Sequence, residues 1–128
     1  MVDFTARELD VMTVLWERGP STVAEVRDAL TDDLAYTTVL TVLRTLEEKG
    51  FAAHDAEGRA YRYRSRVARE AAGRSALRRM LGTVFGGSPE ALLTQLVADR
   101  DVSPEALARM RALLDERLGE ADRAAREG

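Results

Sequence analysis

The chain has 128 residues, 45% of them apolar and 32% charged, with a formal net charge of −3 and no cysteine. That length suits one domain or two very small ones, and the missing cysteine excludes disulfides, thiolate metal sites and thiol catalysis. No apolar run approaches the roughly 18 residues that span a bilayer. The opening Met-Val-Asp-Phe-Thr lacks a secretory signal, so a cytoplasmic protein without membrane insertion is expected.

The net charge conceals a local excess of the opposite sign. Before Gly58 acids outnumber Arg7, Arg18, Arg27, Arg44 and Lys49. From Gly58 to Arg79 the chain carries Arg59, Arg62, Arg64, Arg66, Arg69, Arg74, Arg78 and Arg79 against Glu70 alone. Attraction to phosphate depends on such a patch rather than on the total. For Arg69, Arg74, Arg78 and Arg79 a solvated helix face is an equal reading.

Taken in chain order, the elements announce their starts. Thr5 with Glu8 and Thr22 with Glu25 have the three-residue spacing of capping boxes. The first helix, about Thr5 to Arg18, sets Leu9, Met12 and Trp16 on one side with Leu15 beside them, and ends at Gly19-Pro20. Trp16 is expected to pack in the core, where its indole N–H needs a partner or a route to solvent. The second helix, about Val23 to Leu30, buries Val23, Val26 and Leu30.

The third helix, Tyr36 to Lys49, is the most informative. Val39, Val42, Leu43 and Leu46 fall at i, i+3, i+4 and i+7, one buried stripe. A step of roughly 100° per residue puts Thr37, Thr41, Arg44 and Glu48 on the opposite face, with Thr38 and Thr45 at its edge. Threonine is a poor helix former, so stability does not account for that face. Its hydroxyl suits phosphates or base edges and its methyl suits thymine, as on a helix lying in a DNA major groove.

Beyond Gly50, Phe51 to Asp55 reads as a strand, residues 56–58 as a turn and Arg59 to Arg64 as the returning strand. Tyr61 and Tyr63 alternate with Arg62 and Arg64, which makes the tyrosines the packed side. His54, the sole histidine, reads as a strand residue without carboxylate company rather than a metal ligand. Glu47 and Glu48 lie on or beside the threonine face, where they accept from cytosine, set spacing or pair with an arginine.

The remainder is helical. Leu77, Met80, Leu81, Val84 and Phe85 form a stripe ending at Gly86-Gly87. Ser88-Pro89-Glu90 and Ser103-Pro104-Glu105 each open a helix with an N-cap serine and proline at the first position. These helices carry Leu92, Leu93, Leu96 and Val97, then Leu107, Met110, Leu113, Leu114 and Leu118; beyond Asp122 fraying is expected. Three short amphipathic helices cannot bury their stripes alone, so a second copy is expected to cover them. Leu81, Val84, Phe85, Leu92, Leu96, Leu107, Met110 and Leu114 are the expected dimerisation residues.

The order predicts a mainly α chain with a small β-hairpin wing: a winged helix-turn-helix over residues 1–66, then a helical dimerisation domain over 67–128. No Ser/His/Asp set is present, Gly86-Gly87-Ser88 lacks the lysine of a phosphate loop, and neither cofactor nor metal is expected.

Val14-Leu-Trp-Glu-Arg-Gly-Pro, Ala35-Tyr-Thr-Thr-Val-Leu-Thr-Val-Leu, Lys49-Gly-Phe, Gly58-Arg-Ala-Tyr-Arg-Tyr, Phe85-Gly-Gly-Ser and the Ser103-Pro-Glu helix stand in one order and spacing. Together they resemble the BlaI/MecI/CopY family of bacterial repressors over roughly Leu9 to Leu118. The resemblance implies a homodimer that represses transcription by binding inverted-repeat operator DNA, with TACA/TGTA-like half-sites. It places Tyr36, Thr37, Thr38, Thr41 and either Arg44 or Thr45 at recognition positions, and Arg59 and Arg62 on the wing. Arg64 joins the wing arginines as an expected phosphate contact. The resemblance also implies that Ser21 and Thr22 hold a phosphate through backbone amides.

Family members lose repression in different ways. One branch senses copper through C-terminal cysteines, which this chain lacks. Another is cut by a membrane sensor-protease at an Asn-Phe bond, whose counterpart here is Gln95-Leu96, different on both sides. A regulator gated by a small ligand, or a winged helix that binds only protein, are the alternatives.

Overall fold

The computed structural model describes residues 3–127 and places every expected helix. The elements are α1 (Ala6–Arg18), β1 (Ser21–Thr22), α2 (Val23–Ala29), α3 (Tyr36–Glu48), β2 (Ala52–Glu57), β3 (Ala60–Ser65), α4 (Arg69–Thr83), α5 (Pro89–Ala98) and α6 (Pro104–Glu127). Two compact units are formed, Met1–Arg79 and Met80–Gly128, the division falling inside α4.

Both capping boxes form. Thr5 Oγ1 accepts from the Glu8 amide at 3.1 Å while Glu8 Oε1 accepts from the Thr5 amide at 2.8 Å. Thr22 and Glu25 repeat the exchange at 3.2 and 2.9 Å. Each box satisfies two backbone donors that a helix start leaves open.

The core of the first unit joins three helices and the hairpin: Val11, Met12 and Leu15 from α1, Val23 and Val26 from α2, Val39, Leu43 and Leu46 from α3, and Ala52 and Tyr63 from the strands. The α3 stripe is buried as its periodicity predicts, with Val42 at its margin. In α1 the inward face is rotated from the expected one. Glu8, Val11, Met12 and Leu15 are buried, whereas Leu9 is 44% exposed and Trp16 only half-buried. A charged residue begins the inward stripe, which an apolar count misses. Trp16 has the partner its indole requires: Nε1–H donates to Val67 O at 2.8 Å and Ser65 Oγ at 3.1 Å, holding the chain where it leaves the wing.

The sheet has three strands in the order β1-β3-β2, all antiparallel. Two-residue β1, not expected from the sequence, pairs Ser21 with Tyr63 and Thr22 with Arg62. The hairpin closes at Glu57↔Ala60, so its turn is Gly58-Arg59 rather than residues 56–58. Gly58 has φ 61°, as the first central position of a type II′ turn requires, and the short loop suits the strand twist.

The second unit has no buried side chain in α5 or α6. Val84 and Phe85 lie beyond the end of α4, in the turn before α5. The α6 helix runs 24 residues, through the segment after Asp122 where fraying is expected, to Glu127; Gly128 lies outside the described residues. Among the described residues no helix is long and apolar enough to cross a membrane.

One ion pair ties the two ends of the helical core. Glu8 is buried, and Lys49 Nζ, just past α3, donates to both its oxygens at 3.0 and 2.8 Å. Burial works to raise the Glu8 pKa, but the bonds from Lys49 and the Thr5 amide together hold it below the ordinary glutamate value. A carboxylate with a depressed folded pKa contributes stability above its unfolded pKa of about 4.3 and loses it as pH falls through the folded one. Lys49→Met should therefore cost about 2 kcal/mol at pH 7, the scale of a hydrogen bond to a charged group. The gap to wild type should narrow below pH 4. Urea unfolding at both pH values measures it, and an equal gap at both removes the pair from the stability of the fold.

Candidate nucleic-acid interface

With three of its residues fully buried, α3 has only one face left to present. Thr37, Thr38, Thr41 and Arg44 are exposed and Thr45 is half-buried. Thr41 Oγ1–H donates to Thr37 O at 2.9 Å, and Thr45 Oγ1–H donates to Thr41 O at 2.9 Å. Hydroxyls that back-bond to the preceding turn keep their lone pairs. Toward a ligand these two threonines therefore offer an acceptor and a methyl group.

At its start α3 differs from α1, α2 and α5. No side chain caps it, Ala35 being the N-cap residue, and the Thr38 and Val39 amides both turn to Ala35 O. The first amides of a helix have no intrahelical acceptor, and the partial positive charge of the N-terminus lies there. Tyr36 stands at this first position, half-exposed, with the Arg27 guanidinium 6.0 Å from its ring centre.

Ser21 and Thr22 are differently placed. Ser21 is buried in β1 and its Oγ–H donates to Gly19 O at 2.9 Å, while the Thr22 hydroxyl and amide are both used by the capping box. Any phosphate at the start of α2 would rely on the amides of Val23 and Ala24, its first two helical residues.

The three wing arginines have three different environments. Arg59 sits at the turn, exposed. Arg64 pairs with Asp55 at 3.1 Å, and both side chains are well exposed, so water and salt weaken the pair. Arg62 points back into the protein: its Nε–H donates to Glu57, and its Nη1 donates to Glu25 Oε1 and Pro20 O at 3.1 Å each. Glu57 and Glu25 hold this guanidinium's pKa above the ordinary arginine value.

On the opposite face of the hairpin the tyrosines divide. Tyr63 is fully buried, whereas Tyr61, expected on the packed side, is 50% exposed. Burial pushes the Tyr63 hydroxyl above the ordinary tyrosine pKa, with Glu47 adding to the rise and Arg44 opposing it. His54 does have carboxylate company: its Nδ1 lies 2.8 Å from each Glu47 oxygen. Glu47 is thus engaged with the wing. No periodicity could have shown that pair, because it crosses between elements.

The expected dimerisation residues lie from α4 onward, Val84 and Phe85 in the turn before α5 and the others in α4, α5 and α6. Val84, Leu96 and Leu114 are exposed, and Leu81, Phe85, Leu92, Leu107 and Met110 half-buried. Gln95 and Leu96 lie exposed inside α5.

Comparisons with known proteins follow the same outline. Transcriptional regulator BlaI of Mycobacterium tuberculosis, from strains CDC 1551 / Oshkosh and ATCC 25618 / H37Rv alike, is 48% identical over 59 residues. That stretch is 44% of this chain and 43% of the relative, so the match spans less than half of either. Among solved structures, a cysteine-to-serine mutant of MarR from E. coli superposes with a TM-score of 0.50 at 17% identity, covering 91% of this chain and 79% of that one. This likeness concerns the fold alone, a winged helix. The family model of the penicillinase repressors matches residues 4–116, from ahead of α1 to within α6. By that match, which takes in the capped helices, the threonine-bearing α3, the wing and most of the helical remainder, the chain belongs to the penicillinase repressor family.

Proposed function

We propose that the chain is a homodimeric transcriptional repressor that reads an inverted-repeat operator through α3 and grips its phosphates through the wing. The family and the curated relatives are regulators of transcription, not enzymes. The observation that carries the reading is the division of α3, with a fully buried apolar stripe on one side and threonines and Arg44 exposed on the other. Tyr36, Thr37, Thr38, Thr41, Arg44 and Thr45 would face the major groove, with specificity from Thr41 and its neighbours. Arg59 and Arg64 would meet phosphates, Arg64 exchanging Asp55 for a better anion. Amides at the start of α2, beside Ser21 and Thr22, would hold another phosphate.

In this reading residues 1–66 bind DNA and 67–128 dimerise. Support comes from the second unit, where α5 and α6 leave Leu93, Leu96, Leu113, Leu114 and Leu118 exposed. A second copy, burying such leucines, would set two reading helices about 34–36 Å apart or a multiple of it. The protein would act in the cytoplasm. Relief of repression would come from a membrane sensor-protease cutting Gln95-Leu96 in α5. A ligand-gated repressor is the second reading, favoured by a cavity of about 270 Å³ whose walls include Phe4, Trp16, Ala72 and Ala76. Mass spectrometry of the chain after induction separates the two: a cut chain supports proteolysis, an intact one the ligand.

Binding to a TACA/TGTA inverted repeat and to a scrambled duplex across a salt series tests the function. A preference of about a thousandfold is expected, and none would refute operator reading at that sequence. Thr41→Glu should abolish the preference with the fold intact by circular dichroism; unchanged operator affinity would contradict the role of α3. Arg59→Ala should lower the salt slope by about 0.9, the value of one phosphate contact. Arg62→Ala should leave that slope nearly unchanged, because its guanidinium is already held by Glu57, Glu25 and Pro20. Equal slope changes in both variants would place Arg62 on the phosphates as well.

A further inference from the structure

A two-stranded wing held only at its base could swing against the helix it accompanies. Here the hairpin is fastened on both faces. On one, Arg62 bonds Glu25 of α2 and the carbonyl of Pro20. On the other, His54 of β2 meets Glu47 of α3, with Nδ1 at 2.8 Å from both carboxylate oxygens. The two side chains are 34% and 33% exposed, more shielded than an ordinary surface pair. His54 is directly opposite Tyr63 in the ladder, and its ring lies 4.4 Å from that of Tyr61 and 5.4 Å from that of Tyr63. A continuous row therefore runs from the recognition helix, through Glu47, His54 and Tyr61, toward the turn that bears Arg59. Glu47 is one helical turn beyond Arg44, so the row starts beside the reading face.

We propose that Glu47 and His54 are positioning residues for DNA binding: their bond fixes the wing at one angle to α3, so that Arg59 and the threonine face meet the duplex as one rigid body. The inference rests on the DNA-binding reading above. Neither residue touches DNA in it. Their effect passes through Arg59, whose grip on a phosphate is worth most when its place is set before binding.

His54→Phe removes the bond to Glu47 and keeps a ring to stack on Tyr61. Glu47→Gln keeps an acceptor for His54 and serves as the conservative control. The operator affinity of each is measured with and without Arg59→Ala. Two residues that do not touch normally contribute additively, so non-additivity reports coupling through the wing. The affinity penalty of Arg59→Ala should shrink by about threefold or more in the His54→Phe background and stay whole in the Glu47→Gln background. An equal penalty in all three backgrounds overturns the proposal, whatever the thermal stability of the variants.

Hydrogen exchange of the free protein gives the second readout. Wing amides from Ala56 to Tyr61 should exchange about tenfold faster in His54→Phe, with those of α1 unchanged. Unchanged wing exchange overturns the brace. Should His54→Phe fail to fold, Glu47→Ala breaks the bond from the other side and must give the same two results. If the wild-type chain binds no duplex at all, the DNA-binding reading falls, and exchange alone decides whether the brace exists.

Discussion

A helix that buries one side completely has no choice about what it shows on the other. Val39, Leu43 and Leu46 are fully buried against α1, α2 and Tyr63, and this packing fixes the rotation of α3 about its own axis. A rotation of one residue, roughly 100°, would carry leucines into water and threonines into the core. Burying a large aliphatic side chain is worth about 1.5–3 kcal/mol, so such a slip is strongly opposed. The exposed threonine face thus needs no interaction of its own to hold it. It is the remainder left by the core, and its poor helix propensity is tolerated because packing supplies the stability.

Charge on this chain acts locally, in proportion to how each group is already spent. Glu8 and Lys49 join the start of α1 to the end of α3, and without Lys49 the buried Glu8 carboxylate would keep only the bond from the Thr5 amide. Arg64 and Asp55 sit in water, where a pair adds little and is readily exchanged. Arg62 lies between these limits. Three acceptors on the first unit hold it, and Glu25 is one of them while also closing the capping box of α2. Turning Arg62 outward would therefore loosen two devices at once, the wing edge and the helix start. Identical residues two positions apart on one strand consequently have different chemistry available to them.

Much of this was legible in the sequence because it is local. Capping boxes, the α3 periodicity and the glycine past its end each depend on residues a few positions apart, and each reappears in the structure, whereas the alternation of the wing holds at Tyr63 and not at Tyr61. What the sequence alone does not display depends on partners far along the chain. Two-residue β1 has no periodicity and exists because Ser21 meets Tyr63. Arg62 alternates like Arg64, yet only the fold brings Glu25 beside it. The carboxylate next to His54 in sequence, Asp55, belongs to the other face of the strand, and α3 supplies Glu47 from seven residues back across a turn. In α1 the inward stripe includes Glu8, because Lys49 compensates its charge, so the apolar pattern pointed a fraction of a turn away toward Leu9.

The second unit is governed by the opposite condition from α3. Its helices leave large apolar side chains exposed: Leu113 is 65% exposed and Leu118 63%. Helix propensity can hold α6, whose 24 residues make it about 36 Å long and well past the length at which isolated helices are marginal. It cannot hold α5, ten residues with a serine cap and a proline start. The stability of α5 must come from tertiary burial, and in the proposed dimer that burial depends on the second copy. Gln95 and Leu96 stand in this weakly supported helix. A protease needs an extended backbone, so local unfolding must precede any cut. The short helix, not the long one, is where that unfolding costs least, and severing it would remove an apolar face from the interface on which the proposed repressor depends.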